Sequence, residues 1–374
     1  MSGDEGGATQ GPVKSVWHDV QAEQGAEFED FDGWLWTSTL GDPLAEYRAI
    51  RNDVALWDVY PLVKWDFSGP DALRAAQRVF TNDVTTMSAG AVRYGAFVDE
   101  GGRMVDDGTV YKLADDHCWV MTNTPGYEEY FGAAASGMDV SIEDRTHRLP
   151  LMSVQGPRSR DVLQGLTDAD LADLRYFRFW PEPVQVAGVP AWVLRTGFSG
   201  ELGFELIPDR DRAVDLWRAV QDAGVAIFGT QAVEIARIES GMVVYGVDYE
   251  AGARTPYDIG FDRLVALDRE VEFLGRDALR EIAADPPNRF VTIRIQGTGV
   301  PEYGAEVTKD GEAIGTLTSP TSSPLFGVIG LAVIRADHAA DGTEVDVALE
   351  DGAATGTVAA PPSLYDPEKR RPRS

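Results

Sequence analysis

Asp66-Phe67-Ser68-Gly69-Pro70-Asp71-Ala72-Leu73 closes an alternating apolar run and opens a helix, with Leu73, Ala76 and Phe80 on its apolar face. Val154-Gln155-Gly156-Pro157-Arg158-Ser159 repeats the unit, and Val162, Leu163 and Leu166 supply the face. Both stretches read strand, Gly-Pro, helix; proline suits the first helical position, where its missing N–H is not needed. Gly69 and Gly156 stand 87 positions apart. The matched flanks predict two related α+β halves, with coincidence the alternative because Gly-Pro is a common pair.

Working outward, residues 211–223 form an amphipathic helix stopped by Gly224. Residues 232–242 and 275–283 are further helices, and Asp285-Pro286-Pro287 ends the last. That proline pair is the clearest domain boundary. Beyond it, 290–295, 305–308, 313–317, 328–334 and 344–349 are short alternating runs, and Lys309-Asp310-Gly311-Glu312 is a hairpin turn. The expected organisation is a catalytic region over 15–285, in halves of about 15–150 and 151–285. A small antiparallel β domain over 286–364 follows it, with loose tails at 1–14 and 365–374.

The chain has 374 residues, 44% of them hydrophobic and 10% aromatic, enough for a sizeable core and too apolar for disorder. The start lacks the order of a signal peptide, and no apolar run is long enough to span a bilayer. Cys118 is the single cysteine, so no internal disulfide forms, and a cytoplasmic setting is expected. A net charge of −28 argues against nucleic acid or an anionic membrane as partner. Many carboxylates and only five lysines suit either a protein of concentrated salt or an ordinary acidic protein. Gly-x-Gly-x-x-Gly and P-loop motifs are missing, and His18, His117, His147 and His338 show no metal spacing, so no metal is expected. Gly197-Phe198-Ser199-Gly200-Glu201 fails the hydrolase-elbow register, which leaves Ser199 a turn residue.

Three segments carry chemistry. Residues 93–111 read strand, Glu100-Gly101-Gly102 turn, strand, with Asp106 and Asp107 adjacent on the second strand. Alternation sends the two side chains to opposite faces, so they do not share one task. One enters a pocket while the other faces solvent or pairs, or both simply flank the turn. In Gly197-Phe198-Ser199-Gly200-Glu201-Leu202-Gly203-Phe204-Glu205, glycines permit a tight turn and Glu205 sits at an apolar strand start. A carboxylate there needs partners, either an arginine of the protein or the guanidine-like N–H pair of a ligand such as a pterin. Arg237 lies among apolar helical residues, with Glu234 and Glu239 as possible partners.

These segments, in this order, resemble the aminomethyltransferase (glycine-cleavage T-protein) family from about Trp17 to Pro361. The resemblance also includes Phe31-Asp32-Gly33-Trp34, Leu56-Trp57-Asp58-Val59, Thr81-Asn82-Asp83-Val84, Phe273-Leu274-Gly275-Arg276 and Thr318-Ser319-Pro320. It implies an α+β, three-domain ring around a folate pocket, closed by a C-terminal antiparallel β-barrel, and tetrahydrofolate as cofactor. It implies Asp106 as the catalytic aspartate and Glu205 and Arg237 as pterin-binding residues. Tyr94 and Asn123 are its folate contacts, and Tyr111 and Tyr245 its further pocket aromatics. The chain departs from the family at Phe198, at Tyr60-Pro61, and at 254–260, which is more similar to folate-dependent demethylase relatives. The resulting expectation is a transferase moving a methyl group from a small S-, O- or N-methyl donor to N5 of tetrahydrofolate, with Trp57 and Tyr60 lining the donor pocket. The alternatives are aminomethyl transfer from a lipoylated carrier protein, and a non-catalytic folate-binding assembly factor.

Overall fold

The computed structural model describes residues 11–374. The chain opens with α1 (His18–Ala22), β1 (Glu27–Phe31), β2 (Trp34–Thr39) and α2 (Pro43–Asn52). Next come β3 (Ala55–Asp58), β4 (Val63–Ser68), α3 (Ala72–Val79), β5 (Val92–Val98), β6 (Met104–Ala114), β7 (His117–Thr122), α4 (Glu128–Ala134) and β8 (Ser141–Asp144). The third stretch holds β9 (Met152–Gln155), α5 (Ser159–Gln164), β10 (Val184–Val186), β11 (Val189–Leu194) and β12 (Gly203–Pro208). It continues through α6 (Ala213–Asp222), β13 (Ala226–Ile227), α7 (Thr230–Glu239) and α8 (Arg276–Ala283). Last are β14 (Asn288–Ile295), β15 (Ala305–Lys309), β16 (Glu312–Ser323), β17 (Gly327–Arg335), β18 (Glu344–Leu349) and β19 (Gly352–Ala359).

The fold is α+β. One sheet has the order β5-β6-β7-β4-β8, a second β10-β11-β12-β9-β3-β13, and the last six strands close an antiparallel barrel. The repeated Gly-Pro units lie in different sheets, on β4–α3 and β9–α5. Gly69 (φ 128°) and Gly156 (φ 124°) share a backbone shape closed to other residues. A Cβ on Gly69 would stand 2.6 Å from the Asp139 carbonyl oxygen, and one on Gly156 2.4 Å from that of Asp53. The prolines occupy the turns, and the helices begin two residues later, at Ala72 and Ser159.

The boundary drawn near residue 150 does not separate the sheets. β3 leaves the first half and pairs with β9, Trp57 opposite Ser153. The two sheets share one apolar layer. Trp57, Leu194 and Ile207 meet Tyr111, Trp119 and Met121 there, and α7 adds Val233 and Ala236. Behind one sheet Val63, Trp65 and Phe67 pack with Phe80 and Phe131; behind the other Phe204 and Leu206 pack with Trp217. Strand alternation then turns Lys64 on β4 and Glu205 on β12 toward the shared layer.

The expectation of a loose tail at 365–374 gives way to a fixed one. The Tyr365 hydroxyl donates to Glu201 Oε1 (2.5 Å), Arg371 pairs with Glu201 Oε2 (3.2 Å), and Arg195 donates to the Ser374 carbonyl (2.7 Å). Of the other expected tail, residues 1–10 lie outside the described residues, and Val13 donates its N–H to the Gly33 carbonyl at 2.8 Å. Among the described residues no helix is long and apolar enough to cross a membrane.

Candidate active site

The β5–β6 hairpin places the acidic pair. A bulge between Phe97 and Val98 precedes regular pairing, with Phe97 opposite Asp106 and Ala96 opposite Asp107. Beyond it, Val110 packs behind the sheet and Tyr111 between the sheets. By alternation Asp106 shares the rear face and Asp107 the inter-sheet face.

Neither carboxylate reaches bulk solvent. Asp106 is 0% exposed and accepts four N–H groups. The Asn123 side-chain amide (2.7 Å) and the Asp107 backbone (2.7 Å) bond one oxygen; the Asn123 (2.9 Å) and Thr124 (3.3 Å) backbones bond the other. A carboxylate offers about four lone-pair sites, so Asp106 is saturated. Asp107 is 6% exposed and accepts the Tyr94 hydroxyl (2.6 Å), the Tyr249 hydroxyl and the Asn123 amide (3.2 Å). The two side chains lie on opposite faces as alternation implies, and Asn123 bridges them across the strand. Burial raises both carboxyls, and the Asp107 charge raises Asp106 further.

Glu205 is 8% exposed, and its hydrogen-bond partner is the Thr196 hydroxyl (2.5 Å). No arginine pairs with it among the described residues. Burial raises its carboxyl, while the Thr196 bond and the Lys64 charge oppose that rise. Tyr111 packs edge-on against Phe179 (5.6 Å), and burial followed by the Glu205 charge raises its phenol. Tyr245 meets Tyr249 edge-on (5.5 Å), and burial followed by the Asp106 charge raises it. The structure therefore brings Tyr94, Asn123 and Tyr245 around the aspartates, and Tyr111 beside Glu205.

Arg237 is placed otherwise. It is 0% exposed and all five of its N–H groups are engaged. Nε (2.9 Å) and Nη2 bond the two Glu234 oxygens; Nη1 bonds Asp248 (2.8 Å) and the Met242 carbonyl (3.1 Å); Nη2 also bonds Ser319 (2.8 Å). This internal pairing ties α7 to β16 of the barrel and engages every N–H on which the expected pterin contact would draw. Glu239, the other expected partner, belongs to Arg51 (2.8 Å). Tyr60 is 1% exposed and its hydroxyl accepts from Arg210 (2.8 Å) and donates to the His147 carbonyl (3.3 Å). Trp57 stacks on Phe228 (5.6 Å), and its buried indole N–H has no partner among the described residues.

Sequence reasoning passed over Thr196, Tyr249 and Lys64. Lys64 had a signal, a lone lysine inside Val63-Lys64-Trp65-Asp66-Phe67.

Residues 17–269 match the GCVT N-terminal domain and residues 288–366 the glycine cleavage T-protein C-terminal barrel domain. This chain belongs to the glycine-cleavage T-protein family. It is similar to an aminomethyltransferase of Streptomyces coelicolor, 36% identical over 332 residues that cover 86% of this chain and 88% of that protein. It is also similar to a probable aminomethyltransferase of Halobacterium salinarum, 34% identical over 359 residues, 93% of this chain and 97% of that one. The glycine cleavage system aminomethyltransferase T of Bartonella henselae shares its fold, with a TM-score of 0.86 at 23% identity over 94% of this chain and 98% of that chain. As a family member this protein is a tetrahydrofolate-dependent transferase. The buried residues fit that group, because Glu205 offers an open carboxylate edge to a ring bearing paired N–H donors.

Proposed function

We propose that this enzyme transfers an aminomethyl-derived one-carbon unit from a lipoylated carrier protein to tetrahydrofolate, in the cytoplasm. The observation that carries the folate part of this reading is Glu205, a buried carboxylate held by a single hydroxyl and lacking a cationic contact among the described residues. Its open edge suits the 2-amino and N3 hydrogens of a pterin. The names of the Streptomyces and Halobacterium relatives support the aminomethyl donor over the small methyl donor expected from the sequence.

Tetrahydrofolate, when bound, supplies the nucleophilic N5 that takes the one-carbon unit. The rest falls to the chain's own side chains. We assign the catalytic carboxylate to Asp107 in place of Asp106, because it lies on the inter-sheet face and keeps an open lone pair. Tyr94, Tyr249 and Asn123 fix its orientation, so it stabilises positive charge near N5, or receives the proton that leaves it, with little rearrangement. Holding donor and ring together lowers the entropic barrier of a two-body step.

The experiment is calorimetric titration with tetrahydrofolate, wild type beside Glu205→Gln. Micromolar binding that weakens by roughly 10-fold or more in the variant supports the reading. Absence of binding by the wild type, at low and at high KCl, refutes it. Ammonia release from an aminomethylated carrier then tests the donor. A small S-, O- or N-methyl donor is the second reading, favoured by the unpartnered indole N–H of Trp57, which a small polar donor would satisfy.

A further inference from the structure

Lys64 is 0% exposed on the middle of β4. Its Nζ donates to the Tyr60 carbonyl at 2.7 Å, its one acceptor among the described residues. Two of its three N–H groups have no acceptor among the described residues when the amine is charged. No carboxylate among the described residues comes within 4.0 Å of it. A lysine held this way is costly, since burial of an ammonium without a paired anion disfavours the folded state. Burial pushes its amine down to about 7.

The charges that act on Lys64 are Asp58 on β3, Asp144 on β8 and Glu205 on β12. Asp58 is already bonded by Ser15, Gln21 (2.8 Å) and the Tyr60 N–H (3.1 Å), and Asp144 by the Thr146 N–H (2.7 Å). Glu205 retains free acceptor capacity, as Lys64 retains free donors. Each side chain feels the other's charge, both point into the layer between the sheets, and yet they do not touch. A buried anion and cation kept apart, each with unfilled hydrogen-bonding capacity, match a ligand edge that presents donors to one and an acceptor to the other.

We propose that Lys64 completes pterin recognition: Glu205 accepts from the 2-amino and N3 hydrogens while the Lys64 amine donates to the 4-oxo oxygen. The inference rests on the folate reading above, and it makes Lys64 a specificity-determining residue. The pterin lactam-guanidine edge has the required order of donor, donor, acceptor. A 2,4-diamino ring turns a donor toward the ammonium instead, and the pair disfavours it.

The test is calorimetry with two probes, tetrahydrofolate and its 4-amino counterpart, on wild type, Lys64→Met and Lys64→Gln, alongside thermal melting without ligand. Wild type should prefer tetrahydrofolate. Lys64→Met should lose roughly 10- to 100-fold of tetrahydrofolate affinity, little of the analogue's, and should melt higher, because a poorly paired buried charge is gone. Wild-type affinity should also fall as pH rises through about 7, where the ammonium is lost, and that dependence should be absent in Lys64→Met. Asp106 and Asp107 titrate in both proteins, and loss of Lys64 raises Glu205, whose protonation weakens binding as pH falls, the opposite direction; a fall with rising pH that vanishes in Lys64→Met therefore belongs to Lys64. Unchanged tetrahydrofolate affinity in both variants overturns the inference and leaves the folate reading intact. A lower melting point in both variants, with both probes weakened equally, assigns Lys64 to packing and also overturns it. Failure of the wild type to bind tetrahydrofolate removes the folate reading itself.

Discussion

Replacing Arg237 separates a pterin contact from an internal pairing role. In Arg237→Met the apolar stem is largely retained, while five hydrogen bonds vanish. Asp248, whose side chain is 0% exposed, keeps Thr318, Ser319 and the Val244 N–H but loses its one cationic partner among the described residues. Removing one partner of a buried ion pair destabilises by about 3–5 kcal/mol, a large share of the 5–15 kcal/mol typical of a folded domain. High KCl should restore little of it, because buried charges are screened weakly. The assay is urea unfolding followed by tryptophan fluorescence, with the double variant Arg237→Met/Asp248→Leu as control. The single variant should unfold at distinctly lower urea, and the double variant should recover part of the loss by removing the stranded carboxylate. Tetrahydrofolate affinity, measured on the fraction still folded, should stay within a few-fold of wild type. A variant within about 0.5 kcal/mol of wild-type stability that nonetheless fails to bind tetrahydrofolate would refute the reasoning and return Arg237 to the pterin.

Two further predictions concern the aspartates and the surface. Asp107→Asn should keep tetrahydrofolate affinity but lose turnover by roughly 10²- to 10⁴-fold, whereas Asp106→Asn should chiefly lose about 1–3 kcal/mol of stability as an amide N–H faces backbone donors. The reverse pattern in steady-state kinetics and urea unfolding would restore Asp106 to the catalytic role. With a net charge of −28, the melting temperature should climb as KCl goes from about 0.1 to about 2 M, and a protein most stable in the lowest salt would contradict this.

Much of the secondary structure was legible. The hairpin turn at Asp310-Gly311 takes left-handed backbone at both residues (φ 53° and 82°), and α6 stops before Gly224 (φ 89°) as its composition demands. β19 escaped notice because Gly352-Ala353-Ala354-Thr355-Gly356-Thr357-Val358-Ala359 carries little apolar alternation. Its place is set by pairing with β14 and β18, and Gly356 is required because a Cβ there would stand 2.5 Å from Ile293 Cγ2. Likewise β3 reads as a strand of the first half yet completes the sheet of the second, since short-range pattern does not encode long-range pairing.

By itself the amino-acid sequence determined the α+β class, the barrel that follows Pro287 and the family, and it singled out Asp106-Asp107, Glu205 and Arg237 as candidates, because each is written in local periodicity or in ordered motifs. Only the tertiary structure decided which of two adjacent aspartates faces the space between the sheets, since one bulged residue on β6 sets that phase. It likewise decided that Arg237 is engaged internally while Glu205 is not, and that Lys64 stands across from Glu205 without touching it. A charge's role depends on which partners the fold brings within hydrogen-bonding distance, and those partners come from strands far apart in the chain.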